Sequence, residues 1–219
     1  MGLKKKLVAL AAAVALFIVP SVVSAAVDKY RYDNSQAWAY WTQIDPVNAD
    51  GIVGWHFGYI NAYQFDSEGE GGIYVDAWIE DAFCPEGVEP YSGGGHGEEP
   101  VDDPCTYGFR YGYSENATLE ITGRKLDSAR MTGTLILSDG HGGDPVGMPP
   151  FDITLTGVGN TWTSQSMYRD RYQGGMGMSR DRWTQREATV TGFIGPMGFA
   201  PDLSGGGFGV SSGFSLWKG

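Results

Sequence analysis

Four arginines stand out in an acidic chain: Arg169 and Arg171 within Tyr168-Arg-Asp-Arg-Tyr172, and Arg180 and Arg182 within Arg180-Asp-Arg-Trp183. Guanidinium groups grip planar oxyanions with paired N–H donors, so a row of them would bind sulfate, phosphate or a uronic acid. If the two segments pair as a hairpin, one register sets Arg169 opposite Arg182 and Arg171 opposite Arg180. Sliding by one residue sets Asp170 opposite Arg182 and Arg171 opposite Asp181, and each unlike pair contributes roughly 0.2–1 kcal/mol. The second register, a structural charge ladder, is therefore expected; an arginine row would point to an anion site.

Two acidic, glycine-rich stretches could hold a cation. The first is bounded by Cys84 and Cys105 and carries His96, Glu98, Glu99, Asp102 and Asp103 with no basic residue. The second is Asp139-Gly-His141-Gly-Gly-Asp144. Converging carboxylates suit calcium, and two imidazoles with nearby carboxylates suit zinc or another transition metal. Neither stretch has short, fixed ligand spacing, so no cofactor is required by the sequence, and solvated acidic loops are the simpler expectation. Asn48, Asp50 and Gly51 imitate the start of an EF-hand, but Pro46 and Phe57 occupy ligand positions. Gly209-Val-Ser-Ser-Gly213 imitates a hydrolase elbow, yet all three histidines precede Ser211 and no helix follows. His56, on a strand, reads as a structural residue.

These residues need a scaffold, and the chain reads as exported. Lys4 to Lys6, the apolar run Leu7 to Val19, Pro20 and Val23-Ser-Ala25 have the order of a cleavable signal peptide. Residues 1–25 are thus expected to be removed, leaving 26–219 as one glycine-rich domain, secreted or periplasmic. Without the three leader lysines, 12 basic residues face 26 acidic ones, a balance of −14. That charge disfavours nucleic acid and anionic lipid as partners. No apolar run after residue 25 is long enough for a membrane helix. The only cysteines, Cys84 and Cys105, are expected to form a disulfide closing 22 residues.

Period-two patterns recur from Tyr30–Gln43 to Phe208–Trp217, predicting eight or nine strands in an antiparallel meander that closes as a barrel or β-sandwich. Many aromatics alternate with glycine, as in Val53-Gly-Trp-His-Phe-Gly-Tyr59, and are expected to fill the core. Alternation would gather 44–50, 84–105, 139–150 and 172–180 at one end, and 67–72, 123–127, 158–160 and 196–205 at the other. The reading that follows is an exported binding or structural domain for a glycan, cation or cell-surface polymer. A hydrolase using carboxylates such as Asp76 and Glu80 is one alternative, and a small outer-membrane barrel another, although 161–171 and 183–189 lack the apolar face a lipid-facing strand needs.

Overall fold

The computed structural model describes residues 27–68, 70–90, 102–139, 143–172 and 175–218. The expected leader and the ligand candidates His96, Glu98, Glu99 and His141 lie outside them. The described chain is antiparallel β with a single 3-10 turn at Pro201–Leu203. Its strands are β1 Val27–Ile44, β2 Ile52–Ser67, β3 Glu70–Pro85, β4 Thr106–Ser114, β5 Thr118–Thr122, β6 Ser128–Thr134, β7 Ile136–Asp139, β8 Pro145–Gly147, β9 Pro150–Gly157, β10 Trp162–Tyr172, β11 Gly175–Ile194, β12 Met197–Gly198 and β13 Ser204–Lys218.

All belong to one sheet, ordered β5-β6-β9-β11-β13-β1-β2-β3-β4-β7-β8, with β10 and β12 also paired to β11. The sheet curls into a half-barrel instead of splitting into two stacked sheets. The chain itself enforces the curl. β4 and β5 are consecutive stretches facing β7 and β6 along the next segment, with Tyr111 opposite Ser138 and Thr118 opposite Thr132. Strands at opposite ends of the pairing order are therefore tethered to one another.

The concave side is dry. Ala37, Ala39, Ile60, Ala62, Val75, Ala77 and Ile79 meet Met131, Phe151, Ile153, Leu155, Val190 and Phe208 there, all nearly inaccessible. The core is thus largely aliphatic, and the expectation of a ring-filled interior is corrected. Small residues dominate on β1, β2 and β3 because opposing walls of a tightly curled sheet approach closely. Trp41 is an exception, and it fits only because its ring occupies the place of the missing side chain of Gly58.

Two further expectations change. β9 and β10 run in the same direction along β11, so 158–160 interrupts one edge instead of turning the chain. Strand direction consequently places the β10–β11 connection at the end opposite 45–51, and 195–203 at the same end as 45–51. The arginine hairpin also adopts neither expected register. Arg169 faces Met178, Arg171 faces Met176, and Arg180 and Arg182 face Met167 and Gln165. Pairing continues to Tyr172 opposite Gly175, and every arginine thereby meets an uncharged partner.

Candidate functional site

On the convex side of β1 to β4, continuous registers align outward side chains in transverse rows. Tyr40, Tyr59, Trp78 and Tyr111 form one row. Trp38, Asn61, Asp76 and Tyr113 form the next, and Thr42, Phe57, Glu80 and Phe109 lie on its other flank. Gln36, Tyr63 and Tyr74 extend the surface. Strand alternation brings aromatics spaced by two along each strand into one contiguous face.

Much of that surface is open to water: Tyr40 is 56 % exposed, Tyr74 53 % and Trp78 37 %. Tyr59 and Trp78 stack, with centroids 6.3 Å apart and planes 21° from parallel. Tyr40 and Trp38 lie over Gly205 and Gly207 of β13, where a β-carbon would collide with the rings. Rings seated on bare backbone form flat steps instead of upright posts, which accounts for the glycines of β13.

A polar line crosses the centre. Gln36 Nε2 donates to Asn61 Oδ1 at 2.8 Å, and Asn61 Nδ2 donates to Asp76 Oδ1 at 3.1 Å. The Tyr74 and Tyr111 hydroxyls hydrogen-bond at 3.0 Å. That bond, then burial and the negative charge of Asp76, push the Tyr111 phenol up to about 12. Burial and Asp76 also raise Tyr59, so these phenols remain neutral hydrogen-bonding groups at physiological pH. No lysine, arginine or histidine occupies a convex position in these rows.

On the concave side, at the end shared with 45–51 and 195–203, the core gives way to a polar cluster. His56 Nδ1 lies 2.6 Å from Asp81 Oδ1, and Nε2 lies 3.0 Å from Asp45 Oδ2. Arg110 Nη2 donates to Asp81 Oδ2, and Gln43 Nε2 donates to Asp45 Oδ1. Burial works against a charged imidazole, but the hydrogen bonds and charges of both aspartates outweigh it, raising His56 above its ordinary value. The hydrogen bonds from His56 and Gln43 lower Asp45. Both ring nitrogens of His56 are engaged by carboxylates, which leaves neither open to a metal and ties both aspartates to the ring. Leu137, Val146, Met148, Ile194 and Met197 complete an adjoining cavity of about 570 Å³.

Among the residues named from sequence, Cys84 and Cys105 form the disulfide, its buried sulfurs packed against Ala82, Trp55, Val88 and Tyr107. Asp103 accepts from the Cys105 backbone N–H at 2.8 Å and from the Tyr107 hydroxyl at 2.5 Å, giving it a structural task beside the bridge. Asp102, Asp139 and Asp144 are exposed. Among the described residues, no three His, Cys, Asp or Glu side chains converge as metal ligands. Arg169, Arg171, Arg180 and Arg182 share the concave-parity face. Sequence reasoning missed the convex aromatic face and the Asp45–His56–Asp81–Arg110 cluster. Alternation of Tyr and Trp with Gly and Ala was the available signal for the first, whereas the second joins positions remote in the chain.

The chain matches no protein-family model, no curated protein and no solved structure.

Proposed function

We propose that the protein is an exported glycan-binding domain whose convex aromatic face takes a neutral polysaccharide. The observation that carries this reading is the Tyr40–Tyr59–Trp78–Tyr111 row, with Tyr40 and Trp78 exposed and Tyr59 and Tyr111 half-buried, beside the Gln36–Asn61–Asp76 line. Pyranose rings have apolar C–H faces and hydroxyl rims. Aromatic steps would receive the faces, while amide and carboxylate groups exchange hydrogen bonds with the rims. An exposed apolar patch of this extent commonly marks an interaction surface. Asp76 and Glu80, with no cation in the rows named above, select against uronic acids and sulfated sugars. The disulfide accords with an oxidising compartment.

The alternatives fit less well. A lipid-facing barrel would require an apolar exterior, but the outward positions of β5, β6 and β9 include Thr118, Glu120, Thr132, Thr154 and the Arg130–Asp152 ion pair. Asp76 and Glu80 occupy an open sheet face, and the inward pair Asp45 and Asp81 is tied to His56, so neither pair resembles the separated acid and base of a glycosidase.

The test is a glycan array followed by calorimetry on the mature protein, using soluble neutral polysaccharides and anionic ones. Binding to at least one neutral polymer is expected. The double variant Tyr40→Ala/Trp78→Ala should bind at least about tenfold more weakly while melting within a few degrees of wild type. Silence on every neutral glycan, or unchanged binding by the variant, would overturn the assignment. So would concentration-dependent dimerisation abolished by the same variant, because the face would then be covered by a second copy.

A further inference from the structure

We propose a second docking surface, for an anionic lipid membrane, at the end of the sheet opposite the His56 cluster. There β10, β11, β13 and β1 extend past the core and their concave-parity side chains become accessible. Three transverse rows are read directly from the registers: Arg169–Met178–Leu216–Lys29, Met167–Arg180–Phe214–Arg31, and Gln165–Arg182–Ser212–Asp33. The alignment is unbroken along β11 and β13 from this region to Arg186 opposite Phe208, whose ring is fully buried, so the basic side chains continue the core-facing side.

Five of the mature chain's 12 basic residues, Arg31, Arg169, Arg171, Arg180 and Arg182, gather here and are exposed, with Lys29 beside them. None forms an ion pair with a described carboxylate. Asp33 and Asp66, opposite each other on β1 and β2, are the acidic residues of this parity at the flank. A surface so positive within a chain of net charge −11 gives the molecule a polar axis. Asp28, Asp170 and Asp181 belong to the same strand tips, so an anionic plane would attract this one face, fixing orientation as well as affinity.

The chemistry between the cations decides the partner. Arg31, Arg169, Arg171 and Arg180 each stand opposite an apolar side chain, Arg182 stands between Gln165 and Ser212, and Met167 and Met176 are 58 % and 52 % exposed. On the opposite face of the same strand tips, Tyr30, Tyr168 and Trp217 are also exposed. Sulfated or uronic polymers would engage the guanidiniums but have no use for methionines. A lipid interface uses both: phosphates pair with arginine, while methionine and aromatic rings enter the boundary below the headgroups. This surface is independent of the convex glycan face and tests separately.

The experiment is co-sedimentation of the mature protein with vesicles of phosphatidylcholine, alone or containing about 30 % phosphatidylglycerol. Binding is expected only to the anionic vesicles at about 0.1 M NaCl, and should be largely lost at about 0.5 M. Arg180→Gln/Arg182→Gln should weaken it by about 25-fold, with each charge contributing about fivefold, whereas the corresponding double lysine variant should stay within about threefold of wild type. Met167→Ser/Met176→Ser should also bind at least about fivefold more weakly. Thermal melting and glycan binding report whether each variant is folded. Absence of binding to anionic vesicles overturns the proposal, as does an unchanged affinity of the methionine variant. Equal or tighter binding to soluble dextran sulfate without vesicle association also overturns it, in favour of a polyanion.

Discussion

His56 should make the fold less stable as pH rises through neutrality, and the structure bounds the effect. Its ring bridges Asp45 on the segment after β1 to Asp81 on β3, while Arg110 on β4 holds the other oxygen of Asp81. Because the folded-state pKa lies above the ordinary 6.5, the folded protein keeps a proton that the unfolded chain releases. The stabilisation is fully present below pH 6.5 and is lost as pH climbs through the raised value. One proton corresponds to about 1.4 kcal/mol per pH unit, so the loss between 6.5 and about 8 cannot exceed about 2 kcal/mol. For a domain of this size that is a fall in Tm of at most about 8 °C. The assay is a series of melts followed by circular dichroism between about pH 5 and pH 8.5, on wild type and His56→Gln, in fixed salt. Glutamine preserves polar contact but cannot carry the charge, so the wild-type-minus-variant difference should decline across that interval. The other two histidines cancel in the subtraction. A pH-independent difference, or one growing with pH, would refute the charged-imidazole reasoning.

The same cluster predicts that Arg110→Met, which leaves the nearly buried Asp81 with His56 as its remaining described cation, costs about 3 kcal/mol. Chemical denaturation should find a larger cost at pH 8 than at pH 5.5, because deprotonating His56 removes that last cation. At the acid extreme, Asp45 adds stability that is present above its ordinary pKa of 3.8 and lost as pH falls through its lowered folded value; Asp45→Asn should flatten that limb of the melting profile. Gly58→Val would place methyl groups where the Trp41 ring lies, and a lowered urea midpoint equivalent to about 3 kcal/mol or more is expected. Replacing Cys84 and Cys105 together by alanine should cost about 3 kcal/mol, the loop-closure contribution for a bridge spanning 21 positions, measured against the oxidised protein.

Much of the fold was legible because alternation is a local property. Tyr107, Phe109, Tyr111 and Tyr113 alternate with smaller or polar residues, and the pattern announces a strand whatever its neighbours are. The cysteine pair was equally plain, since these two residues had only each other. The end-by-end arrangement of connections was legible only in part, because β9 and β10 share one direction and invert the alternation that follows. The hairpin register was not legible either. Long pairings of β11 with β13 as well as β10 govern it, and these outweigh the small gain from opposed charges.

The candidate sites divide along the same line. That β1 has a bulky parity and a small one was written in Gln36-Ala-Trp-Ala-Tyr40. Which parity faces the core was decided by curvature: opposing walls of the curled sheet leave room for Ala37 and Ala39, and Trp38 and Tyr40 lie on the convex side, Tyr40 exposed and Trp38 half-buried. The sequence by itself determined strands, disulfide pairing, charge and two chemically distinct faces per strand. Only tertiary structure brought Asp45, His56, Asp81 and Arg110 together and laid the aromatics of four strands side by side, because register and curl arise from pairings between segments that no local pattern encodes.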